Sequence, residues 1–183
     1  MPLSDNHVST LLLAEARLRR PPVNMKKRSV LFVCMGNICR SPTAEGVLRE
    51  KLRKAGLANM VTVASAGTHA SHVGSPPDGR AQSVAAKRGY DLSRQRARRV
   101  GDADFGSFDH LLAMDKDNLA MLEERCPPEH AGKIGLLMGF ARRHAIQEIP
   151  DPYYGGPAGF DVVIDYIEDA CDGLIESVLA RPG

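Results

Sequence analysis

A short apolar run that leads into a cysteine-containing loop most constrains the fold of this chain. Residues 30–33 (Val-Leu-Phe-Val) are the residue types of a short buried strand. Cys34 follows directly, and Arg40 comes after five intervening residues that include a glycine. Ser41 and Pro42 are typical of a helix start, with Ser41 as the predicted N-cap and Pro42 at the first helical position. The expected order is strand, tight loop and helix N-terminus.

The loop between Cys34 and Arg40 has the composition of an anion site. Backbone N–H groups at a helix N-terminus, the helix dipole and a guanidinium all favour a bound oxyanion. The same field favours the thiolate form of a cysteine, which is the nucleophilic form. The alternative is an ordinary buried cysteine at a strand end. The spacing Cys-x5-Arg-Ser-Pro after a strand favours a nucleophile that faces a phosphorus atom.

Strand and helix patterns alternate along the chain. The helix after the loop has one apolar stripe (Ala44, Val47, Leu48, Leu52 and Ala55) and ends at Gly56. A strand–helix–strand unit of this kind is expected to be parallel and right-handed. The prediction is an α/β fold with a parallel sheet covered on both faces. Strands are predicted at 29–33, 61–64, 108–114 and 134–138, helices at 42–55, 78–88, 116–124 and 160–179, and a polar surface loop at 65–77.

Length and composition exclude several classes of protein. The chain has 183 residues, which suits one domain, and 43% of them are hydrophobic, which is enough for a core. A net charge of +2 does not favour binding to nucleic acid or to an anionic membrane. Four cysteines in a chain of this length do not indicate a secreted disulfide framework, and no apolar run approaches the ~20 residues of a membrane span. We therefore expect a cytoplasmic protein.

The N-terminal residues differ in composition from the rest. Residues 1–26 are predicted to be a flexible extension and residues 27–183 to be a single domain. A targeting segment, or translation that starts at Met25, would also explain residues 1–24.

A second chemical feature lies late in the chain. Asp151 stands between two prolines, and two glycines close the segment, so the backbone there is stiff and non-helical. A carboxyl group held in this way near a thiolate could protonate the leaving oxygen of a phosphate ester and later activate water. Taken alone, the same pattern is also that of an ordinary turn.

Taken together, the motifs resemble those of the low molecular weight protein tyrosine phosphatase family. The resemblance covers nearly all of residues 27–180, and the pairing of the cysteine loop with a late Asp-Pro-Tyr is highly specific. It rests on Cys34-Met-Gly-Asn-Ile-Cys-Arg40-Ser41, Asp151-Pro-Tyr-Tyr-Gly-Gly156, Ser65-Ala-Gly67, Gly74-x-Pro-x-Asp78-x-Arg80 and Ala113-Met-Asp115-x-x-Asn118.

The resemblance implies a fold and a set of roles. The fold would be a three-layer α/β/α, flavodoxin-like arrangement with a four-stranded parallel sheet. Cys34 would be the nucleophile that forms a phosphocysteine, Arg40 would clamp the phosphate, and Asp151 would be the general acid and then the general base. No cofactor or metal is implied, and the partners would be phosphotyrosine-containing proteins, with phosphate or other oxyanions as ligands. The residues implied to bind substrate or shape the loop are Met35, Gly36, Asn37, Ile38, Cys39, Ser41, Ser65, Tyr153 and Tyr154.

Three other functions compete with phosphotyrosine hydrolysis. Relatives that act on phosphoarginine carry Thr at the position of Ile38, and an apolar residue there fits an aromatic ring better. Ser71, however, stands where many relatives have a large aromatic residue. Arsenate reduction on the same fold needs additional relay cysteines, and residues 114–124 contain none. A non-catalytic phosphate-binding module would need neither a thiolate nor a proton donor.

The second cysteine of the loop has two interpretations. Cys39 is either a small packing residue or a resolving thiol that forms a disulfide with oxidised Cys34.

Overall fold

Four parallel strands form the centre of the molecule. The computed structural model describes residues 26–179, so the predictions on residues 1–25 and 180–183 lie outside the described range. The strands are β1 (Arg28–Cys34), β2 (Val61–Gly67), β3 (His110–Ala113) and β4 (Ile134–Leu136). They are all parallel and have the order β2-β1-β3-β4. The four predicted strands and the parallel sheet are therefore confirmed.

Helices cover both faces of this sheet. On one face, Val30 and Phe32 pack in a large cluster with Leu48 and Ile164. On the other face, Leu31 and Val33 pack in a second cluster. The alternation along β1 gives the three layers of a flavodoxin-like α/β/α fold. The helices are α1 (Arg40–Lys54), α2 (Gly79–Lys87), α3 (Asp102–Ser107), α4 (Lys116–Arg125) and α5 (Ala158–Leu174), with shorter turns at Pro128–Lys133, Leu137–Phe140 and Ile175–Leu179.

Several predicted boundaries were wrong. Helix α1 begins at Arg40 with Cys39 as its N-cap, so Ser41 and Pro42 lie inside the first turn. Ser41 is therefore not the N-cap. Its hydroxyl group contacts the Cys34 sulfur instead. Strand β2 continues to Gly67, which places Ser65 in a buried strand and not in a surface loop. Helix α3 was not predicted, since its six residues are too few to show a helical period.

Glycines define two ends in the fold. Gly56 has a φ of 72° and follows the end of α1, as the sequence predicted, while Ala55 is exposed and does not extend the apolar stripe. Gly67 closes β2 opposite Cys34, the last residue of β1. A Cβ atom at Gly67 would lie 2.7 Å from the Met35 carbonyl oxygen. The loop after β1 therefore packs directly on the end of β2.

Candidate active site

The Cys34 sulfur has one hydrogen-bond partner in its own loop, residues 34–40, and one in the first turn of helix α1. It is 3% exposed, and it lies 3.0 Å from Ser41 Oγ. The backbone N–H of Asn37 points at the sulfur from 3.3 Å. A backbone N–H and a hydroxyl group thus hold the sulfur in place at the start of the loop.

Asn37 ties this loop to its surroundings. Its φ of 55° is in the left-handed region, which asparagine tolerates better than most residues. Its Nδ2 donates to Ser41 Oγ at 2.9 Å and to Ser65 Oγ at 3.0 Å. Its Oδ1 accepts from the backbone N–H of Arg98 at 2.9 Å. Both the amide nitrogen and the amide oxygen of Asn37 therefore make hydrogen bonds, which hold the loop against β2 and against the backbone at Arg98.

Ser65 and Ser41 both accept hydrogen bonds from the Asn37 side chain. The Ser65 hydroxyl donates to Glu45 Oε2 at 2.5 Å, so it accepts from Asn37. Ser41 Oγ also accepts from Asn37, and its own proton can reach either the Cys34 sulfur at 3.0 Å or the Ala66 carbonyl at 3.3 Å.

Glu45 was not identified from the sequence. It is 6% exposed, and burial raises the pKa of its carboxyl group, against the effect of hydrogen bonding from Ser65 and of the Arg49 charge. Its position four residues after Ser41, on the same face of a helix, was the available signal.

Arg40 connects the cysteine loop with two carboxylates. The side chain is 2% exposed, and Nη1 donates to Asp115 Oδ2 at 2.5 Å and to the Ile149 carbonyl at 3.0 Å. Nη2 donates to Asp151 Oδ2 at 3.2 Å. Burial alone would lower the pKa of Arg40, but the negative charges of Cys34, Asp115 and Asp151 outweigh it and raise the pKa. The guanidinium therefore stays charged while buried.

A pocket of about 160 Å³ opens above the sulfur. Several predicted site residues line it together with Cys34 and Arg40. Two residues of the loop after β2 also line it: Ser71, which the sequence marked only as a position that bears on substrate choice, and His72, which was not predicted. Asn37, Ser41 and Ser65 do not line the pocket, and their side chains are hydrogen-bonded to one another. The predicted residues on the pocket wall are Met35, Gly36, Ile38, Cys39, Asp151, Tyr153 and Tyr154.

Aromatic rings form the mouth of this pocket. Tyr153 and Tyr154 meet edge to face with centroids 4.9 Å apart, and the Tyr154 side chain is 93% exposed. His72 lies across the pocket, with its ring centroid 6.4 Å from that of Tyr153. A flat aromatic group that enters the pocket would pass between these rings.

Cys39 differs from Cys34 in its surroundings. It packs with Ala81 and Phe160, and both loop cysteines are free thiols. Burial, together with the charges of Asp78 and Cys34, raises the pKa of Cys39 to about 12. Cys39 therefore stays protonated at neutral pH and is not a candidate nucleophile. Its possible role as a resolving thiol stays a prediction.

Asp115 is a further residue whose role the sequence did not show. It follows β3 and caps helix α4, because its Oδ1 accepts from the Asn118 backbone N–H at 2.8 Å. Its other oxygen faces Arg40. Within residues 26–179, no group of three or more His, Cys, Asp or Glu side chains is placed to hold a metal ion. No helix in that range is long and apolar enough to cross a membrane.

The fold and the site together define a class of phosphate-ester hydrolase that carries its cysteine and arginine on the loop after the first strand of a parallel sheet. Residues 29–181 match the family model described as low molecular weight phosphotyrosine protein phosphatase. This chain therefore belongs to that family and is a protein-tyrosine phosphatase, as the sequence motifs predicted.

Individual relatives agree with this placement. The low molecular weight phosphotyrosine protein phosphatase of Schizosaccharomyces pombe is 40% identical over 154 residues, which are 84% of this chain and 98% of that protein. A crystal structure of a protein tyrosine phosphatase from Entamoeba histolytica with Hepes in its active site is 42% identical, with a TM-score of 0.81 over 84% of this chain and 97% of that one. Vibrio vulnificus Wzb in complex with benzylphosphonate is 31% identical, with a TM-score of 0.72 over 82% of this chain and 99% of that one.

Proposed function

We propose that this chain hydrolyses phosphotyrosine in proteins in two steps at the pocket above Cys34. In the first step, the Cys34 thiolate attacks phosphorus, an S–P bond forms, and the bond from phosphorus to the tyrosyl oxygen breaks. Asp151 gives its proton to that oxygen, and Arg40 holds the phosphoryl oxygens. In the second step, Asp151 takes a proton from water, whose oxygen bonds phosphorus. Phosphate leaves, and the thiolate is restored.

One observation carries this proposal. The Arg40 guanidinium, held on the same loop as Cys34, reaches the Asp151 carboxylate at 3.2 Å. A phosphoryl group bound between sulfur and guanidinium would therefore lie beside a carboxyl group that can protonate its leaving oxygen. A binding module without turnover has no need of this arrangement.

The pocket walls support an aryl phosphate as the substrate. Ile38, Tyr153 and Tyr154 line the pocket, and they offer apolar or aromatic surface to a ring. A related structure holds benzylphosphonate, which is a phenyl ring joined through one carbon to a phosphonate. Tyrosine phosphate has the same ring and a similar anion, whereas phosphoarginine has a flexible cationic chain.

We also place the protein in the cytoplasm, where phosphotyrosine proteins would meet it.

Arsenate reduction is less well supported. That reaction passes a disulfide from the first cysteine to others nearby. Cys39 on the pocket wall could take the first disulfide, but the relay needs a further cysteine. Cys126 lies at the end of α4, Cys171 is buried in α5, and neither lines the pocket.

The direct test is steady-state hydrolysis of a phosphotyrosine peptide by the wild type, Cys34→Ser and Asp151→Ala. Cys34→Ser should have no detectable turnover, because serine is not ionised at neutral pH. Asp151→Ala should lose about 10²- to 10⁴-fold, the usual contribution of a general acid. Cys126→Ser is the matched control and should keep wild-type activity, since Cys126 does not line the pocket.

Two results would contradict the proposal. Full activity of Cys34→Ser would exclude the cysteine as nucleophile. Faster hydrolysis of phosphoarginine than of phosphotyrosine would exclude phosphotyrosine as the preferred substrate.

Acid quenching of the wild type during turnover, followed by mass spectrometry, should show one phosphate on the peptide that contains Cys34.

A further inference from the structure

Asp78 and Arg80 form a two-point ion pair beside the pocket, at the start of helix α2. Asp78 Oδ1 accepts from Arg80 Nε at 3.0 Å, and Oδ2 accepts from Nη2 at 2.9 Å. The backbone N–H of Asp78 donates to the Ile38 carbonyl at 2.7 Å. The Arg80 guanidinium is therefore held in a fixed position relative to the 34–40 loop.

The free edge of the same guanidinium reaches the loop that carries Asp151, residues 149–156. Arg80 Nη1 donates to the Tyr153 carbonyl at 3.1 Å. The guanidinium also lies over two rings, with its central carbon 4.7 Å from the centroid of Phe160 and 5.5 Å from that of Tyr153. Arg80 thus bridges two loops that are more than a hundred residues apart in sequence.

Tyr153 connects Arg80 with Asp151. Its backbone N–H donates to Asp151 Oδ1 at 3.1 Å, while its carbonyl accepts from Arg80. The residue that Arg80 holds is therefore the residue that holds the Asp151 carboxylate.

Arg80 is not placed to bind phosphate itself. Asp78 takes two of its N–H directions and balances its charge, and Tyr153 takes a third. The hydrogen bonds from Arg80 lower the pKa of Asp78, so this pair stays ionised near neutral pH.

The 149–156 loop needs a contact that holds it in position during the reaction. In the structure, Arg40 Nη2 contacts Asp151 directly. A bound phosphoryl group competes for that N–H, so the contact between Arg40 and Asp151 weakens when the proton donor is needed. The contact between Arg80 and the Tyr153 carbonyl lies outside the phosphate site and is not subject to this competition.

We propose that Arg80, oriented by Asp78, is a positioning residue that holds the 149–156 loop through Tyr153 so that Asp151 stays at the leaving oxygen after phosphate binds. This inference rests on the proposed role of Asp151 as general acid. It assigns a function to the Asp78-x-Arg80 motif.

The test uses the dependence of the rate on the leaving group. A poor leaving group such as tyrosine or phenol depends on the proton from Asp151, whereas p-nitrophenol departs more easily without it. Arg80→Ala should lower kcat/KM by about tenfold or more for phenyl phosphate and for a phosphotyrosine peptide, and by less than about threefold for p-nitrophenyl phosphate. Arg80→Lys keeps the charge without the two-point geometry and should fall between Arg80→Ala and the wild type.

Arg53→Ala is the matched control. Arg53 makes a similar two-point pair with Glu50, at 2.7 and 2.8 Å, on the exposed face of α1 and away from the pocket. Arg53→Ala should therefore leave kcat/KM unchanged for substrates with either kind of leaving group. Alkylation of Cys34 by iodoacetate at pH 6–8 should also be unchanged in Arg80→Ala, because the donors to the sulfur are untouched.

The outcomes separate this inference from the proposed function. Equal losses with both leaving groups, or no loss at all, would show that Arg80 does not position the acid. If Asp151→Ala itself showed no dependence on the leaving group, the proposed role of Asp151 would be wrong. If Asp151→Ala shows that dependence and Arg80→Ala does not, only the role of Arg80 is excluded. If Arg80→Ala folds poorly, Asp78→Asn gives the same test, because it keeps Arg80 but weakens the two-point ion pair that orients it.

Discussion

Arg40 Nη1 lies 2.5 Å from Asp115 Oδ2, so a carboxylate from the loop after β3 orients the guanidinium carried by the helix after β1. The side chain of Asp115 is 22% exposed and that of Arg40 is 2% exposed. A buried guanidinium with a fixed orientation is already arranged for an incoming phosphate, and preorganised charge of this kind accounts for a large part of catalysis.

Asp115→Asn tests this orientation. Asparagine is as good an N-cap as aspartate, so helix α4 should keep its cap while Arg40 loses a charged partner. We expect kcat/KM for a phosphotyrosine peptide to fall about tenfold. Tm should fall as well, because the buried guanidinium loses one of the charges that offset its burial. Asp115→Ala should show the same kinetic loss and lose about 1 kcal/mol of stability in addition, because the cap is removed. An unchanged kcat/KM in both variants would contradict the orienting role.

Asn37→Ala should affect both stability and the reactivity of Cys34. The variant loses hydrogen bonds to Ser41, Ser65 and the Arg98 N–H, and it places alanine at a φ of 55°. We expect a loss of roughly 2–4 kcal/mol in urea unfolding and slower alkylation of Cys34 by iodoacetate at neutral pH.

Asn37→Gly separates these two causes. Glycine removes the same hydrogen bonds but accepts the positive φ, so it should recover about 1 kcal/mol relative to alanine. Alkylation should stay slow in both variants, because neither holds the Ser41 hydroxyl toward the sulfur. Alkylation at the wild-type rate in either variant would exclude the hydrogen-bond chain as the source of reactivity.

Gly67→Ala should displace the 34–40 loop. The added Cβ would lie 2.7 Å from the Met35 carbonyl oxygen and 3.2 Å from the Asn37 nitrogen, and both are backbone atoms that cannot move alone. A shift of about 1 Å near the nucleophile commonly costs on the order of 100-fold in rate, so we expect a loss of this size in kcat/KM. Gly79→Ala is the control, since no atom beyond its chain neighbours and its own helix backbone lies within 4 Å of the added Cβ, and it should keep wild-type activity.

Asp169 should make stability depend on pH in acid. Burial opposes its charge, but hydrogen bonds from the His144 ring and from the N–H groups of Arg142, Arg143 and His144 outweigh burial and lower the pKa of Asp169 from 3.8 to about 2. A lowered folded-state pKa stabilises the fold above the ordinary pKa, and this contribution is lost as the pH falls through the folded value.

The measurement compares the wild type with Asp169→Asn in urea at pH 7, 5, 4 and 3. The difference in unfolding free energy should be constant from pH 7 to 5 and should narrow between about pH 4 and pH 2. A difference that does not change with pH would show that the Asp169 charge does not contribute.

Local patterns were sufficient to predict the main elements and to single out candidates for the reacting groups. The apolar run before Cys34, the glycine after α1 and the alternation of strands and helices each act within a few residues, so composition and spacing predict them. Cys34, Arg40 and Asp151 were proposed because the predicted chemistry needs particular residue types beside a turn or a proline. The end of β2 was placed incorrectly, because Ser65, Ala66 and Gly67 are polar or small and are kept in the strand by pairing with β1.

The support of these groups depends on contacts between residues distant in sequence, and only the tertiary structure determined it. Glu45 reaches Ser65, Asp115 reaches Arg40, and Arg80 reaches Tyr153 across separations of 20, 75 and 73 residues. No periodic pattern links such pairs, because they meet only when parallel strands bring the ends of β1, β2 and β3 to one edge of the sheet. The sequence by itself thus determined which chemistry is available, and the packing of that edge decided which side chains hold it in place.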